Sequence, residues 1–338
     1  NPDNQQFTSS SGYGEPNTWD VSQVTNMSSL FTTPAPNKSF NADINDWDVS
    51  NVTTMNSMFY GSNFNKPIYK WNVSKVKNVA YMFYDWTGNQ NISTSVQSRN
   101  GVEYLAWKFP SDCESSELPF RNAKSFNNGV ILTYEGDDTT KPVIKIEEWD
   151  NTVGDYVTIK DVVNGDTIEE ADIKRAPLNW FIPTSMIHIV FNDARNYNQD
   201  MINKTIIYTL DDVEGSYEAW NVSHVEQIYF YQAHRFNGDI HTWDISNVVT
   251  ISFYKCYIFN KPLYNWNTSK MTDMSQMFQE ASAFNQEIRT WDVSNVTNFN
   301  KMFDGATKFT IMKMSTPDMK EFVEILTKEV KSKEEIKE

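Results

Sequence analysis

One phrase built on tryptophan recurs along this chain, and a chain written that way must fold as a stack of like units. Tryptophan falls at Trp19, Trp47 and Trp71, then at Trp220, Trp243, Trp266 and Trp291, the later steps being 23, 23 and 25 residues. Each opens a near-copy of the same words: WDVSQVTNM, WDVSNVTTM, WNVSKVKNV, WNVSHVEQI, WDISNVVTI, WNTSKMTDM and WDVSNVTNF. A second fixed element, Phe-Asn, stands seven residues ahead of tryptophan at Phe40-Asn41, Phe64-Asn65, Phe236-Asn237, Phe259-Asn260 and Phe284-Asn285. Periods of this length mark repeat architectures, in which a unit too small to bury its own apolar face buries it against its neighbours.

Within a unit, counted from tryptophan as zero, Trp and the apolar residue at +2 share one face of an extended segment, and the Asp or Asn at +1 points the other way. Serine holds +3 in every copy (Ser22, Ser50, Ser74, Ser223, Ser246, Ser269 and Ser294). Apolar residues follow at +5 and +8, with Phe at +12 in most copies, which is a helical spacing. Serine ahead of such a run predicts an N-cap, and Gly61 and Gly305 at +14 predict left-handed helix stops. The copies at Trp220 and Trp243 bring their Phe at +10 and predict a shorter or 3₁₀-like helix. The unit therefore reads as a short strand, a capped helix and a return. The predicted fold is an α/β repeat, a leucine-rich-repeat-like solenoid of parallel strands and short helices.

The centre of the chain carries worn copies. Leu118 to Asn127 matches the helix-end phrase of 301–309, and Trp180 to Asn198 matches a whole unit with one residue missing, giving about nine turns. The predicted organisation is an N-terminal extension (1–18), turns (19–103), an insertion (104–119), a degenerate turn (120–128), a β-rich insertion (129–178), a degenerate turn (179–198), an insertion (199–219), turns (220–314), and a capping helix with a solvated tail (315–338). Val130–Tyr134, Val143–Ile146 and Tyr156–Ile159, between turn signals at Gly136-Asp137 and Gly165-Asp166, predict a small antiparallel sheet in the largest insertion. Thr316-Pro317 and the apolar Met319, Phe322, Val323 and Leu326 predict the cap.

Charge narrows the partners. Against 29 Lys+Arg stand 44 Asp+Glu, a net of −15, which is the wrong sign for nucleic acid or an anionic membrane surface. Two cysteines, Cys113 and Cys256, are too few for a disulfide framework. No segment reaches the length of a membrane span. The 11 Trp and 21 Phe are absorbed by the repeat, since each turn carries one Trp and about two Phe inward.

The phrase F-N-x-x-I-x-x-W-D-V-S-N-V-T-N-M-x-x-M-F, nearly complete from Phe284 to Asn298, resembles the BspA-like repeat family, which includes many mycoplasma surface lipoproteins. The resemblance covers about 19–92 and 220–310 firmly and 118–127 and 180–200 weakly; the insertions lie outside it. It implies a leucine-rich-repeat-like solenoid on the cell surface, used in adhesion or partner binding, with no enzyme chemistry. The lipid-attachment cysteine expected near a precursor's start is absent from these residues, so membrane anchoring is implied only by the family.

The candidate functional residues are what the repeat does not explain. Trp107 and Phe109 in the first insertion, and Trp149 and Tyr156 in the β-rich one, are candidate exposed anchors for a protein or glycan partner. The +1 row, including Asp20, Asp48, Asp244 and Asp292, predicts an acidic solvated face. Calcium favours oxygen ligands of this kind, yet no EF-hand-like spacing occurs, and neither metal nor cofactor is expected. The Asn of Phe-Asn and the Ser at +3 recur too often for catalysis and are expected to satisfy the backbone of adjacent turns. His224, His234 and His241 lie close in sequence without a metal or nucleophile pattern. The leading expectation is a non-enzymatic extracellular binding protein. The alternatives are a hydrolase using Asp112, Glu114, Glu147 or Glu148, whose carboxylates would have to pair across a cleft, and a structural spacer.

Overall fold

The computed structural model describes residues 14–32, 40–114, 119–121, 123, 125–126, 130–134, 143–150, 155–161 and 178–310. The predicted N-terminal extension lies outside these residues up to position 13, and the predicted C-terminal cap lies wholly outside them. The strands are β1 (Ser95–Arg99), β2 (Val102–Ala106), β3 (Val130–Tyr134), β4 (Val143–Asp150), β5 (Asp155–Asp161), β6 (His188–Val190), β7 (Lys204–Leu210), β8 (Val213–Ala219), β9 (Gln227–Tyr229) and β10 (Thr250–Ser252).

The strand-plus-helix repeat is not what forms. Among the described residues the one helical element is the 3₁₀ turn Pro16–Thr18, and the serines at +3 cap no helix. The leucine-rich-repeat-like α/β solenoid is thereby overturned. In the place of the helix each coil runs through successive tight turns. In the second coil Met58 N donates to Met55 O, Tyr60 N to Ser57 O and Ser62 N to Phe59 O, all three-residue steps. The intervening amides reach across: Met55 N donates to Asn78 O, Ser57 N to Ala80 O, Phe59 N to Met82 O and Gly61 N to Tyr84 O, all in the third coil. An α-helix returns every amide to its own chain four residues back. Alternation between self and neighbour requires periodic left-handed residues, and these recur at +10 as Ser29, Ser57, Tyr81, Gln276 and Lys301, with φ of 54° to 58°. Gly61 and Gly305 are left-handed as well, at 65° and 77°, but they close a turn rather than a helix.

Parallel pairing ties coil to coil at one further place. Strands β6, β9 and β10 form a three-stranded parallel sheet with Ile189, Ile228 and Ile251 in register. Single bridges extend it from Thr250 to Asp273 to Asn298, and a separate row of parallel bridges joins Asn26 to Thr54 to Asn78.

Two aromatic columns fill the interior. In the first, Phe31, Phe59, Phe83, Phe120, Phe191, Phe230, Phe253, Phe278 and Phe303 stack at 5.4–5.8 Å between successive centroids. Phe120 and Phe191 carry that column through the degenerate centre. Beside it Phe126, Tyr197, Phe236, Phe259, Phe284 and Phe309 stack in turn. The third coil breaks the rule and repairs it: Gly88 occupies the second-column position, and Trp86, two residues earlier, turns its ring into the vacant space with Nε1 donating to Phe64 O at 2.6 Å.

The tryptophans form a third line, core rather than platform. Trp71 stacks on Trp107, Trp220 on Trp243 and Trp266 on Trp291 at 5.9–6.2 Å. Their indoles also stitch coils: Trp47 donates to Pro16 O, Trp71 to Ile44 O, Trp107 to Ile68 O and Trp291 to Leu263 O.

Candidate functional site

The repeated polar residues serve the backbone. At every copy the +1 side chain accepts the amide of the +3 serine, at 3.0–3.2 Å: Asp20 from Ser22, Asp48 from Ser50, Asn72 from Ser74, Asn221 from Ser223, Asp244 from Ser246, Asn267 from Ser269 and Asp292 from Ser294. Such Asx turns need a short side-chain oxygen, which is why only Asp or Asn appears. These bonds hold the carboxyls of Asp20 and Asp292 below the ordinary Asp value. Asp20, Asp244 and Asp292 are exposed and Asp48 is half-buried. The asparagine of Phe-Asn works between coils: Asn41 Oδ1 accepts from Asn65 N, Asn198 from Asn237 N, Asn237 from Asn260 N and Asn260 from Asn285 N, at 2.7–2.9 Å.

Trp107 and Phe109 are not presented to a partner. Both are buried, and Trp107 occupies the tryptophan position of a fourth coil, its indole bonded to the third as its counterparts are. The residues added ahead of this coil are the β1–β2 hairpin at 95–106 rather than 104–119. Sequence reasoning placed Trp107 in an insertion, as an exposed anchor, because Lys108-Phe109-Pro110 replaces the usual words. The six-residue step from Phe120 to Phe126 was the available signal, and Asn100-Gly101, with φ of 52° and 79°, marks the hairpin. Trp149 sits opposite Tyr156 in the antiparallel β4–β5 ladder, whose sheet is completed by β3. The side chains of these two candidates, and of Glu147 and Glu148, lie outside the described residues.

The insertions share one junction. In regular coils tryptophan follows the Asn of Phe-Asn by six residues; it follows Asn89 by 18, Asn127 by 53 and Asn198 by 22, in three consecutive coils. Buried Ile92 and Met201 keep the places of Ile44 and Ile68, so the first and third insertions enter between that residue and tryptophan. Hairpins β1–β2 and β7–β8, which belong to the first and third of these coils, lie against each other across the coil between them. Asp211 N donates to Glu103 Oε2 at 2.8 Å near the tips, and Tyr217 Oη reaches Thr94 O at 3.3 Å near the bases. Lys108 Nζ lies 5.3 Å from the Phe181 ring and 5.9 Å from those of Tyr208 and Tyr217, pinning the second hairpin by cation–π contact. Burial lowers the pKa of Lys108 and lifts that of the Tyr217 phenol to about 12. The first hairpin lies back on earlier coils through Arg99 Nη2 to Trp47 O and Tyr104 Oη to Lys70 O. Val96, Val102, Ile207 and Val213 remain exposed on the two hairpins, by 38% to 68%.

The titratable candidates separate. Asp112 is ion-paired to Lys77 at 2.7 Å, which lowers its carboxyl pKa, and Glu114 is exposed beside it. His224 contacts Pro183 O, His241 contacts Asp239, and His234 stacks on Tyr257, so the three take different partners. Cys113 and Cys256 are both buried and neither is in a disulfide. Cys256 takes the small-residue position held by Ala233 and Ala281 in adjacent coils, and burial raises its thiol pKa.

These features define a stacked-repeat protein with hairpins added at a single junction of its coils. The chain belongs to the family described as Mycoplasma protein of unknown function, DUF285, whose model matches residues 4–130, 145–251 and 204–316. No curated protein and no solved structure matches it.

Proposed function

We propose that this chain is a non-enzymatic binding protein of the BspA-like kind, displayed outside the cell, whose inserted hairpins meet a protein or glycan partner. The observation that carries this reading is the shared junction. Three consecutive coils carry extra residues between the Asn of Phe-Asn and tryptophan, and the hairpins of the first and third of them touch each other. Insertions gathered on one edge of a repeat array are the usual place of its contacts. The exposed aliphatic side chains of these hairpins, Val102, Ile207 and Val213 above all, are costly to leave in water and suit a docking surface. Anchoring would come from a precursor lipid, as the family resemblance implies.

The test is binding of the intact chain to host-cell surfaces, compared with Val102→Lys/Val213→Lys and with each hairpin replaced by a two-residue turn. Loss of binding at unchanged melting temperature supports the reading. Undiminished binding by all variants removes the hairpins from recognition, and no binding by any form sinks the proposal.

A further inference from the structure

A second surface lies on the turn edge, at a different point of the coil from the hairpin junction. Counted from the first-column rings Phe191, Phe230 and Phe253, the residues one step on are Asn192, Tyr231 and Tyr254; two steps on, Asp193, Gln232 and Lys255; four steps on, Arg195, His234 and Tyr257. Asp193, Gln232 and Lys255 are left-handed, with φ of 57° to 61°, and their amides are spent on the backbone: Asp193 N donates to Tyr231 O, Gln232 N to Tyr254 O and Lys255 N to Gln279 O. The backbone is therefore fixed, and its side chains are left exposed or half-buried along three neighbouring coils.

Tyr231 and Tyr254 pack at 4.3 Å, Lys255 Nζ lies 5.2 Å from the Tyr254 centroid, and His234 stacks on Tyr257 at 4.8 Å. Arg235 N bonds to Arg195 O, which joins the two arginine-bearing turns. Asp193 grips Arg195 through Nε alone at 2.8 Å, and the Nη groups make no hydrogen bond among the described residues. Glu280 stands 3.7 Å from Lys255, a loose pairing. In a chain of net charge −15 this edge thus presents Arg195, Lys255 and His234 beside three tyrosines, with Asp193 and Glu280 as the acids facing them and the Arg235 side chain buried beneath.

We propose that the edge built by Arg195, His234 and Lys255 with Tyr231, Tyr254 and Tyr257 binds a carboxylate-bearing glycan. The planar Arg195 fork suits a carboxylate, and phenol rings and hydroxyls suit the mixed apolar and polar faces of sugars. A dense polyanion such as nucleic acid gains from these few cations but is strongly repelled by the surrounding surface, whereas widely spaced carboxylates are repelled less. Burial, followed by the positive charge of Arg195, lowers the His234 pKa, with Lys255 and Arg235 acting the same way and Asp193 opposing. A ligand carboxylate favours the imidazolium, so affinity rises as pH falls from neutrality through the His234 pKa while the ligand stays ionised.

The probes are hyaluronan oligosaccharides and a sialylated oligosaccharide, which carry carboxylates from two sources, with a neutral glucan and single-stranded DNA as comparisons, all titrated against the intact chain. Binding of one or both acidic glycans, weakened roughly tenfold by Arg195→Ala or Lys255→Ala and stronger at pH 5.5 than 7.5 unless His234 is Gln, supports the site. Which acidic glycan binds identifies the source of the carboxylate. Equal binding of the neutral glucan, preference for DNA, indifference to both substitutions at unchanged melting temperature, or no binding at all overturns it. The hairpin variants described above should leave this binding intact, so the two surfaces stand or fall separately.

Discussion

The exchange at Trp86 and Gly88 shows how strictly the columns govern single residues. A Cβ on Gly88 would collide with the Trp86 indole and the Phe64 carbonyl, so the glycine is required by both the tryptophan beside it and the backbone of the preceding coil. Trp86→Ala alone should cost about 3–5 kcal/mol through the cavity it leaves, and Gly88→Phe alone should fail to pack. Removing the ring leaves the Phe64 carbonyl in the way of a Cβ at position 88, so Trp86→Ala with Gly88→Phe should recover little over Trp86→Ala alone, and urea unfolding of the three variants checks it. At this scale the sequence was largely readable. The Asn of Phe-Asn could be assigned to backbone service from its recurrence, whereas the Asp or Asn at +1 reads from sequence as a solvated row and its Asx turn appears only in the structure. Trp107 was not readable, because the words that mark tryptophan as core are missing after it.

The element scale is where the expectation failed. Apolar residues at +5, +8 and +12 suit a helix, but successive three-residue turns place them on one side equally well. What separates the two is the left-handed residue at +10, and there the chain carries Ser, Tyr, Gln and Lys rather than glycine. A non-glycine residue in that conformation costs roughly 1–2 kcal/mol, offset here by amides bonded to the next coil. Substituting Ser57 by Val, which tolerates positive φ poorly, should lower stability by a further 1–2 kcal/mol or so, and Ser57→Gly should not. Thermal melts of the two variants decide it, and equal losses would contradict the turn geometry. Far-UV circular dichroism supplies an independent check, since the α/β repeat overturned here would give helical minima that a turn-built coil lacks.

Over the whole molecule, negative charge and local pairing combine. Ser22 bonds hold the Asp20 carboxyl below its ordinary pKa, Ser294 bonds do so for Asp292, the Lys70 bond for Asp46 and the Lys77 bond for Asp112. Groups with depressed folded values contribute stability that is complete above the unfolded pKa of about 3.9 and lost as pH falls through the folded values. The melting temperature should therefore fall a little between pH 7 and 5, where the partly buried His234 imidazole with its lowered pKa must take up a proton, and decline further below about pH 4 as the carboxylates are protonated. A rise under acid would show that relief of the net −15 outweighs these bonds.

The common junction has a consequence for engineering and for descent alike. Between Ile92 and Trp107, and between Met201 and Trp220, the chain leaves the stack and returns without disturbing either column. Closing such an excursion costs little more as it lengthens, because loop entropy grows only with the logarithm of length. The same exit exists, unused, between Ile240 and Trp243 and between Leu263 and Trp266. A hairpin or foreign peptide grafted there would join the row of existing fingers at a known spacing, so variation in what this protein displays can be rewritten without renegotiating how it folds.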